Sequence, residues 1–400
     1  MKIAIIGAGA SGLFAGSLLC ENHEITMFDK NEKCGKKLYI TGKGRCNITN
    51  NCDKETFFNN VVNGEKFMFS CINQFAPKDV INYFEERGLK TKVERGGRVF
   101  PQSDKSSDVI KTLQNACKKC DIKLNEEVLN ISFDNDNNLF LVKTKLKDYD
   151  FDKVIIATGG KTYSATGSTG DGYKFAKMFG HKIVEIKPGL VPIEVNDKFI
   201  KQLQGVSLKN VILTAKTENK TYNNFGEMMF TDKGITGPIV LTLSSYINKS
   251  KLKSFFIDFK PSLSKQQLFD RLERDIETNK NKTMSTFVKL YLPKSVGDVF
   301  LQRLNIPFEL KVKSLSNTQK NNFIDMLKEF NLSYKNLYPL DAGIITSGGV
   351  DEKEINPRTM ESKLQKGLYF IGEVLNVDCL TGGFNLTTAF STAYACANNI

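Results

Sequence analysis

The residues of this chain best placed to do chemistry are glycines. Gly7, Gly9 and Gly12 fall in the run Gly7-Ala8-Gly9-Ala10-Ser11-Gly12, directly after the apolar stretch Ile3-Ala4-Ile5-Ile6. A second apolar stretch, Glu24-Ile25-Thr26-Met27-Phe28, closes on Asp29. The spacing is that of a strand, a tight turn and a helix built around a dinucleotide. Gly7 permits the turn, Gly9 leaves the backbone bare to a pyrophosphate, and Gly12 lets the helix pack close to the sheet. Ala10 and Ser11 open that helix, so their amides and the positive end of its dipole face the phosphates. Asp29, with Lys30 after it, stands where a carboxylate accepts hydrogen bonds from the adenosine ribose.

Three more glycine groups extend the pattern. Val154-Ile155-Ile156-Ala157-Thr158-Gly159-Gly160 reads as a buried strand whose end brings Ala157, Thr158, Gly159 and Gly160 to a ligand. Gly167-Ser168-Thr169-Gly170-Asp171-Gly172 leads into a helix but is not a second GxGxxG, so there is no separate nicotinamide-binding domain. Near the end, Leu368-Tyr369-Phe370-Ile371-Gly372-Glu373 and Thr381-Gly382-Gly383-Phe384-Asn385 predict a strand, a turn and a last helix. A helix N-terminus there would stabilise the anionic reduced ring of a flavin, which favours flavin over nicotinamide as resident cofactor.

Those motifs need a scaffold split in two. We expect an α/β fold: a discontinuous Rossmann-like domain over 1–190 and 341–400, with an insertion over 191–340, and the active site at their seam. The insertion reads as β-rich over 191–261, from runs such as Val211-Ile212-Leu213 and Phe255-Phe256-Ile257. It reads as helical over 262–340, where Leu268, Leu272 and Ile276 share one face. Between the nucleotide motifs, Gly42-Lys43-Gly44-Arg45-Cys46-Asn47 is a loop too irregular for a helix, and Pro77 to Gly88 and Ser107 to Cys117 are helices. Leu139-Phe140-Leu141-Val142 alternates as a hairpin strand.

Composition excludes several classes. Two histidines, His23 and His181, rule out a multi-histidine metal centre, and no serine–histidine triad is evident. Cys117 and Cys120 form a CxxC without a second pair, so no metal is expected. Nine scattered cysteines suit a reducing compartment. Lys2 and the apolar stretch to Leu19 resemble a short secretory leader, but the glycine spacing argues against one. No run approaches the roughly twenty apolar residues of a membrane span, so the expectation is a soluble cytoplasmic protein. Of the net charge of +12, the stretch 191–340 holds +9, with 23 Lys and Arg against 14 Asp and Glu. It is either a lysine-rich solvated surface or a surface for a polyanion such as RNA.

The motifs taken together resemble a known family. Gly42 to Asn50, Gly97-Arg98-Val99-Phe100-Pro101, Ala157 to Gly160, Gly167 to Gly172, Phe230-Thr231 with Gly234 to Pro238, and Gly372-Glu373-Val374 with Thr381 to Asn385 occur in the order seen in BaiN-like (YhiN-like) FAD-dependent oxidoreductases. The resemblance spans essentially the whole chain. It implies an FAD domain carrying an inserted β-barrel-like and helical domain, with NAD(P)H as transient electron donor. It also adds Lys37, Gly44, Arg45, Cys46 and Asp378 to the cofactor-binding residues, beside Gly372, Glu373, Gly382, Gly383, Phe384 and Asn385. One departure stands out: Cys379-Leu380 replaces the more usual Gly-Pro pair before the Thr-Gly-Gly turn.

Members of that family act as aminoacetone oxidases, reductases of bile-acid intermediates, or ribosomal RNA dihydrouridine synthases. The basic insertion favours the last: reduction of uridine in large-subunit ribosomal RNA, with hydride delivered to C6, a proton to C5 and the base unstacked. Cys46, between Arg45 and a glycine-rich loop, is the first candidate acid because such a thiol can have a tuned pKa; Tyr163 is the second. Arg45 and Arg98 are read as binding flavin phosphate, then substrate, then a surface carboxylate. The alternatives are a flavin-dependent small-molecule oxidase or reductase, and a non-catalytic flavin-containing RNA-binding factor.

Overall fold

The strand β1 (Lys2–Ile6) buries Ile3, Ala4, Ile5 and Ile6 almost completely, as a parallel strand covered on both faces must. β2 (Glu24–Phe28) pairs with it in parallel, Ile3 opposite Ile25 and Ile5 opposite Met27. With β3 (Asp121–Lys123), β4 (Lys153–Ile156) and the late strand Leu368–Phe370, they form a five-stranded parallel sheet. Its order is Leu368–Phe370, β4, β1, β2, β3. The computed structural model describes all 400 residues, and this sheet centres the first of two compact units, Met1–Gly189 with Leu340–Ile400.

The helix α1 (Ala10–Leu19) has no polar face: Ser11 to Ser17 and Leu19 are all buried. A helix apolar all round must be covered on every side. The C-terminal helix Phe384–Ala397 packs on it, and Phe14 is the hub, with ring centroids 4.5 Å from Tyr83, 5.1 Å from Phe390 and 5.4 Å from Phe75. A methyl group on Gly16 would lie 2.8 Å from Met27 Cε, which shows how closely this helix runs against β2.

Leu139–Thr144 is the central strand of a three-stranded antiparallel sheet, burying Phe140 and Val142 and exposing Leu141. Helices run Pro77–Glu86 and Ser106–Ala116, so Cys117 and Cys120 lie just beyond the second helix rather than within it.

His181 ties two parts of this unit together. Its ring is buried, with Nε2 2.7 Å from Ser362 Oγ and Nδ1 3.1 Å from Glu354 Oε2. Ser362 Oγ already accepts from the Leu364 and Gln365 N–H groups, so its hydroxyl donates to Nε2 and the imidazole is neutral. Burial pushes the His181 pKa down, against the upward pull of Glu354. A histidine with a depressed folded-state pKa gives up stability on acidification. Its contribution is complete above the unfolded-state value of about 6.5 and is lost as pH falls through that value toward the folded one. Thermal melts should show a lower Tm at pH 5.5 than at pH 7.5, and His181→Gln should shrink that difference.

The second unit, Leu190–Pro339, has its own core and its own sheet. Its strands are β5 (Ile193–Val195), β6 (Ser207–Thr217), β7 (Thr221–Phe230), β8 (Gly234–Thr236), β9 (Leu252–Asp258), β10 (Phe330–Asn331) and β11 (Tyr334–Leu337). All pairings are antiparallel, in the order β10-β9-β6-β7-β8-β5-β11. The two edge strands are separated only by Leu332 and Ser333. Leu332 N–H donates to Phe255 at one edge, and Ser333 C=O accepts from Asn196 at the other. Two residues reach about 7 Å, so the sheet curls round until its edges nearly meet, short of a closed barrel.

Two expectations about this stretch are corrected. The β-rich segment contains the helix Pro238–Ile247, which Gly237 at φ 109° and Pro238 at its first turn initiate. The helical segment ends in β10 and β11 rather than in helix. Between them, Lys265–Asn279 and Asn317–Lys328 begin with capping boxes, Ser264 with Gln267 and Ser316 with Gln319. Leu268, Leu272 and Ile276 line the buried face of the first.

Candidate functional site

The opening loop has the geometry its glycines permit. Gly7 sits at φ 109°, where a methyl group would lie 2.6 Å from Ala157 O, and one on Gly12 would overlap Gly7 O. Gly9 differs: a methyl group there meets nothing within 4 Å. The space over Gly9 is therefore free, and α1 starts beneath it with no side-chain cap and no acidic residue in its first turn. An uncapped helix N-terminus under an open space suits a phosphate. Asp29 closes one side, accepting from Ala8 N–H at 2.9 Å and from the Asn31 backbone and side chain at 2.8 and 2.9 Å. Lys30 Nζ meets Asp171 Oδ2 at 2.5 Å. Burial works to raise the Asp171 carboxyl, but Lys30, Thr169 and Lys174 outweigh it and hold it down at about 2.

Along the other side, Lys37 Nζ donates to Glu373 Oε2 and Oε1 at 2.8 and 3.0 Å and to Thr162 Oγ1 at 2.8 Å. Glu373 Oε1 also accepts the Thr346 N–H at 3.0 Å. This cluster backs onto the second glycine group, since a methyl group on Gly160 would lie 3.1 Å from Glu373 Cδ. Thr158 Oγ1 is buried there without a hydrogen-bond partner. Gly372, at φ 74°, lies against Ser11, 2.6 Å from Oγ by the same measure.

The third wall is the C-terminal turn. Gly382 and Gly383 have φ 135° and 100°, and a methyl group on Gly383 would overlap Thr49 O. Asn385 pins the turn, accepting from Cys379 N–H at 2.9 Å and donating to Cys379 O and Leu380 O. The helix from Phe384 again begins without a side-chain cap or a first-turn acid. Asp378 is 1% exposed and accepts from Asn63 and Ser347 at 2.6 and 3.0 Å.

Between these walls, Lys36–Gly44 is helical only as far as Ile40: Gly42, Lys43 and Gly44 are all left-handed, and a methyl group on Gly44 meets nothing. The residues after it correct two expectations. Cys46 is completely buried, and burial pushes its thiol up to about 12, opposite to the activated thiol its neighbours suggested. Arg45 is engaged within the protein, paired to Glu94 and to Asp104, with its guanidinium 4.2 Å from the Phe100 ring centroid. Arg98 approaches the same Glu94 at 3.8 Å and the same ring. Tyr163 is half-buried in a left-handed conformation, its ring centroid 6.0 Å from Lys37 Nζ.

Thr162 and Thr346 belong to the site and were not foreseen. Each is an isolated threonine whose part depends on a lysine and a glutamate far away in sequence, so no local signal marks it. No three His, Cys, Asp or Glu side chains are grouped to hold a metal, and no helix is long and apolar enough to cross a membrane.

A parallel sheet with glycine turns at the carboxyl ends of β1 and β4, and an uncapped helix behind the first, defines a Rossmann-type dinucleotide-binding domain. The chain belongs to the HI0933-like protein family, whose Rossmann-domain description matches residues 1–399. It is 30% identical to a ribosomal RNA dihydrouridine synthase of Haemophilus influenzae, over 99% of this chain and 97% of that protein. It is 28% identical to a 3-dehydro-bile acid delta(4,6)-reductase of Clostridium scindens, over 98% and 97%. In fold it is similar to a 3-ketosteroid-delta4-(5alpha)-dehydrogenase of Rhodococcus jostii RHA1, with TM-score 0.53 and 11% identity, over 100% of this chain and 96% of that one.

Proposed function

We propose that this oxidoreductase reduces uridine to dihydrouridine in large-subunit ribosomal RNA, with NAD(P)H as electron donor. The observation that carries the choice is charge: the unit 190–339 holds most of the chain's positive excess, as a polyanionic substrate requires. Full-length similarity to a ribosomal RNA dihydrouridine synthase supports it.

The residues present fit FAD. The open space above Gly9 would take the pyrophosphate, which the amides of Ala10 and Ser11 would bind. Asp29 accepts from the adenosine ribose. Ala157, Thr158, Gly159 and Gly160 form the floor, with the unpartnered Thr158 hydroxyl as a donor. Lys37 and Glu373 fix each other beside it, and Gly44 leaves room on the loop side. Gly382, Gly383, Phe384 and Asn385, which set the uncapped start of the last helix, would present its N-terminus to the flavin, and Lys30, Arg45, Cys46, Gly372 and Asp378 would lie behind the residues that hold it. When bound, FAD supplies the hydride. The chain's task is to orient the extruded base and deliver a proton to C5, and Tyr163 Oη carries that proton because Cys46 has no exposed surface.

Mass spectrometry of ribosomal nucleosides from cells with and without the gene tests the reading. Dihydrouridine should disappear with the gene, and an unchanged nucleoside profile rejects RNA as substrate. The similarity to a bile-acid reductase favours a second reading, a small-molecule ene reductase. NAD(P)H consumption with a conjugated enone and none with RNA would establish it instead.

A further inference from the structure

We propose that the outward face of β6, β7 and β9 is the surface on which single-stranded RNA docks, an inference that rests on the RNA reading above. Along β6, Val211, Leu213 and Ala215 face the core, and along the neighbouring β7, Thr221, Asn223, Phe225, Glu227 and Met229 are the exposed residues. Phe225 is 62% exposed and lies directly opposite Ile212. Most of its ring is therefore open to a stacking base.

Its surroundings are basic and polar rather than a continuous apolar patch. Lys209 and Lys216 of β6 are exposed, and Lys216 Nζ lies 5.1 Å from the Phe256 ring centroid on β9. Thr214 Oγ1 donates to Asn223 Oδ1 at 2.9 Å beside Phe225. Of the two acids in these strands, Asp258 is neutralised by Lys328 at 2.6 Å, which leaves Glu227. Exposed side chains two residues apart on a strand stand about 6.8 Å from one another. An extended polynucleotide can thus place a base on the Phe225 ring while neighbouring phosphates meet lysines. Aromatic stacking inside a positive field is the general mode of single-strand recognition and is tolerant of sequence. A partner protein would be expected to cover a larger contiguous apolar area.

The test is fluorescence anisotropy of a labelled uridine-rich RNA of about 12 nucleotides with the full-length protein, across salt from about 50 to 200 mM. Phe225→Ala should weaken binding about tenfold. Replacing Lys209 and Lys216 by Ser should flatten the salt dependence by about 0.7 per lysine. Phe69→Ala, equally exposed in the other unit, should leave affinity unchanged. Wild-type affinity in the Phe225 and lysine variants, or equal weakening by Phe69→Ala, overturns this surface and leaves the RNA reading standing. Absence of salt-dependent RNA binding by the wild-type protein overturns both.

Discussion

Gly9→Leu should yield a folded protein that has lost its yellow colour. At most positions of the opening loop a side chain collides with protein: with Ala157 at Gly7, with Gly7 itself at Gly12. At Gly9 a Cβ meets nothing within 4 Å, so a leucine enters there without a backbone clash at its root and projects into the space assigned to the pyrophosphate. Hydrogen bonds from backbone amides to a charged phosphate contribute about 1.5–3 kcal/mol each, and losing two of them lowers FAD affinity by at least about a hundredfold. Flavin absorbance after purification, a titration with added FAD and a thermal melt together read the result. The expected outcome is a near-native Tm without added cofactor and no retained flavin. Flavin bound at wild-type affinity would move the pyrophosphate away from Gly9. Gly12→Ala should act differently, lowering the melting temperature of the apoprotein itself, because its methyl group overlaps the Gly7 carbonyl.

The second large effect is expected where two residues 336 positions apart meet. Lys37 and Glu373 are each about a fifth exposed, and their hydrogen bonds with Thr162 and the Thr346 amide leave neither charge idle. Removing one partner strands the other in a half-dry site. A fully buried pair loses about 3–5 kcal/mol when broken, and partial solvent access brings this down to about 2 kcal/mol. Lys37→Met and Glu373→Gln should each lower urea stability by about that amount. The double variant should lose much less than the two losses added together. Strictly additive losses would mean that the pair contributes nothing as a pair. Flavin retention should fall in both single variants, since Glu373 stands against Gly159 and Gly160 at the floor of the site.

Much of the cofactor half was legible because its determinants are local. A turn that needs positive φ at Gly7, and a helix that approaches the turn as closely as Gly12 allows, leave their mark in residue type and spacing over a few positions. The buried parallel strands announce themselves the same way, as unbroken apolar runs. The paired helix faces of the inserted unit, Leu268, Leu272 and Ile276 among them, follow from a period of 3.6 residues. Where elements end was less legible. The helix Pro238–Ile247 is apolar on nearly every side, so its run reads equally well as a strand. β10 and β11 are too short to carry any pattern and exist because the curling sheet brings both its edges to the same eight-residue stretch, 330–337.

Electrostatic roles divided along the same line. Sequence alone determined that this chain builds a glycine-turn nucleotide site on a parallel sheet, because backbone sterics act between neighbours. Only the tertiary structure decided what each charged or titrating group faces: that Arg45 belongs to Glu94 and Asp104, that Lys37 belongs to Glu373, and that the Cys46 thiol is sealed from water. Burial and charge pairing depend on distance in space and on exclusion of water, and neither is encoded in adjacent residues.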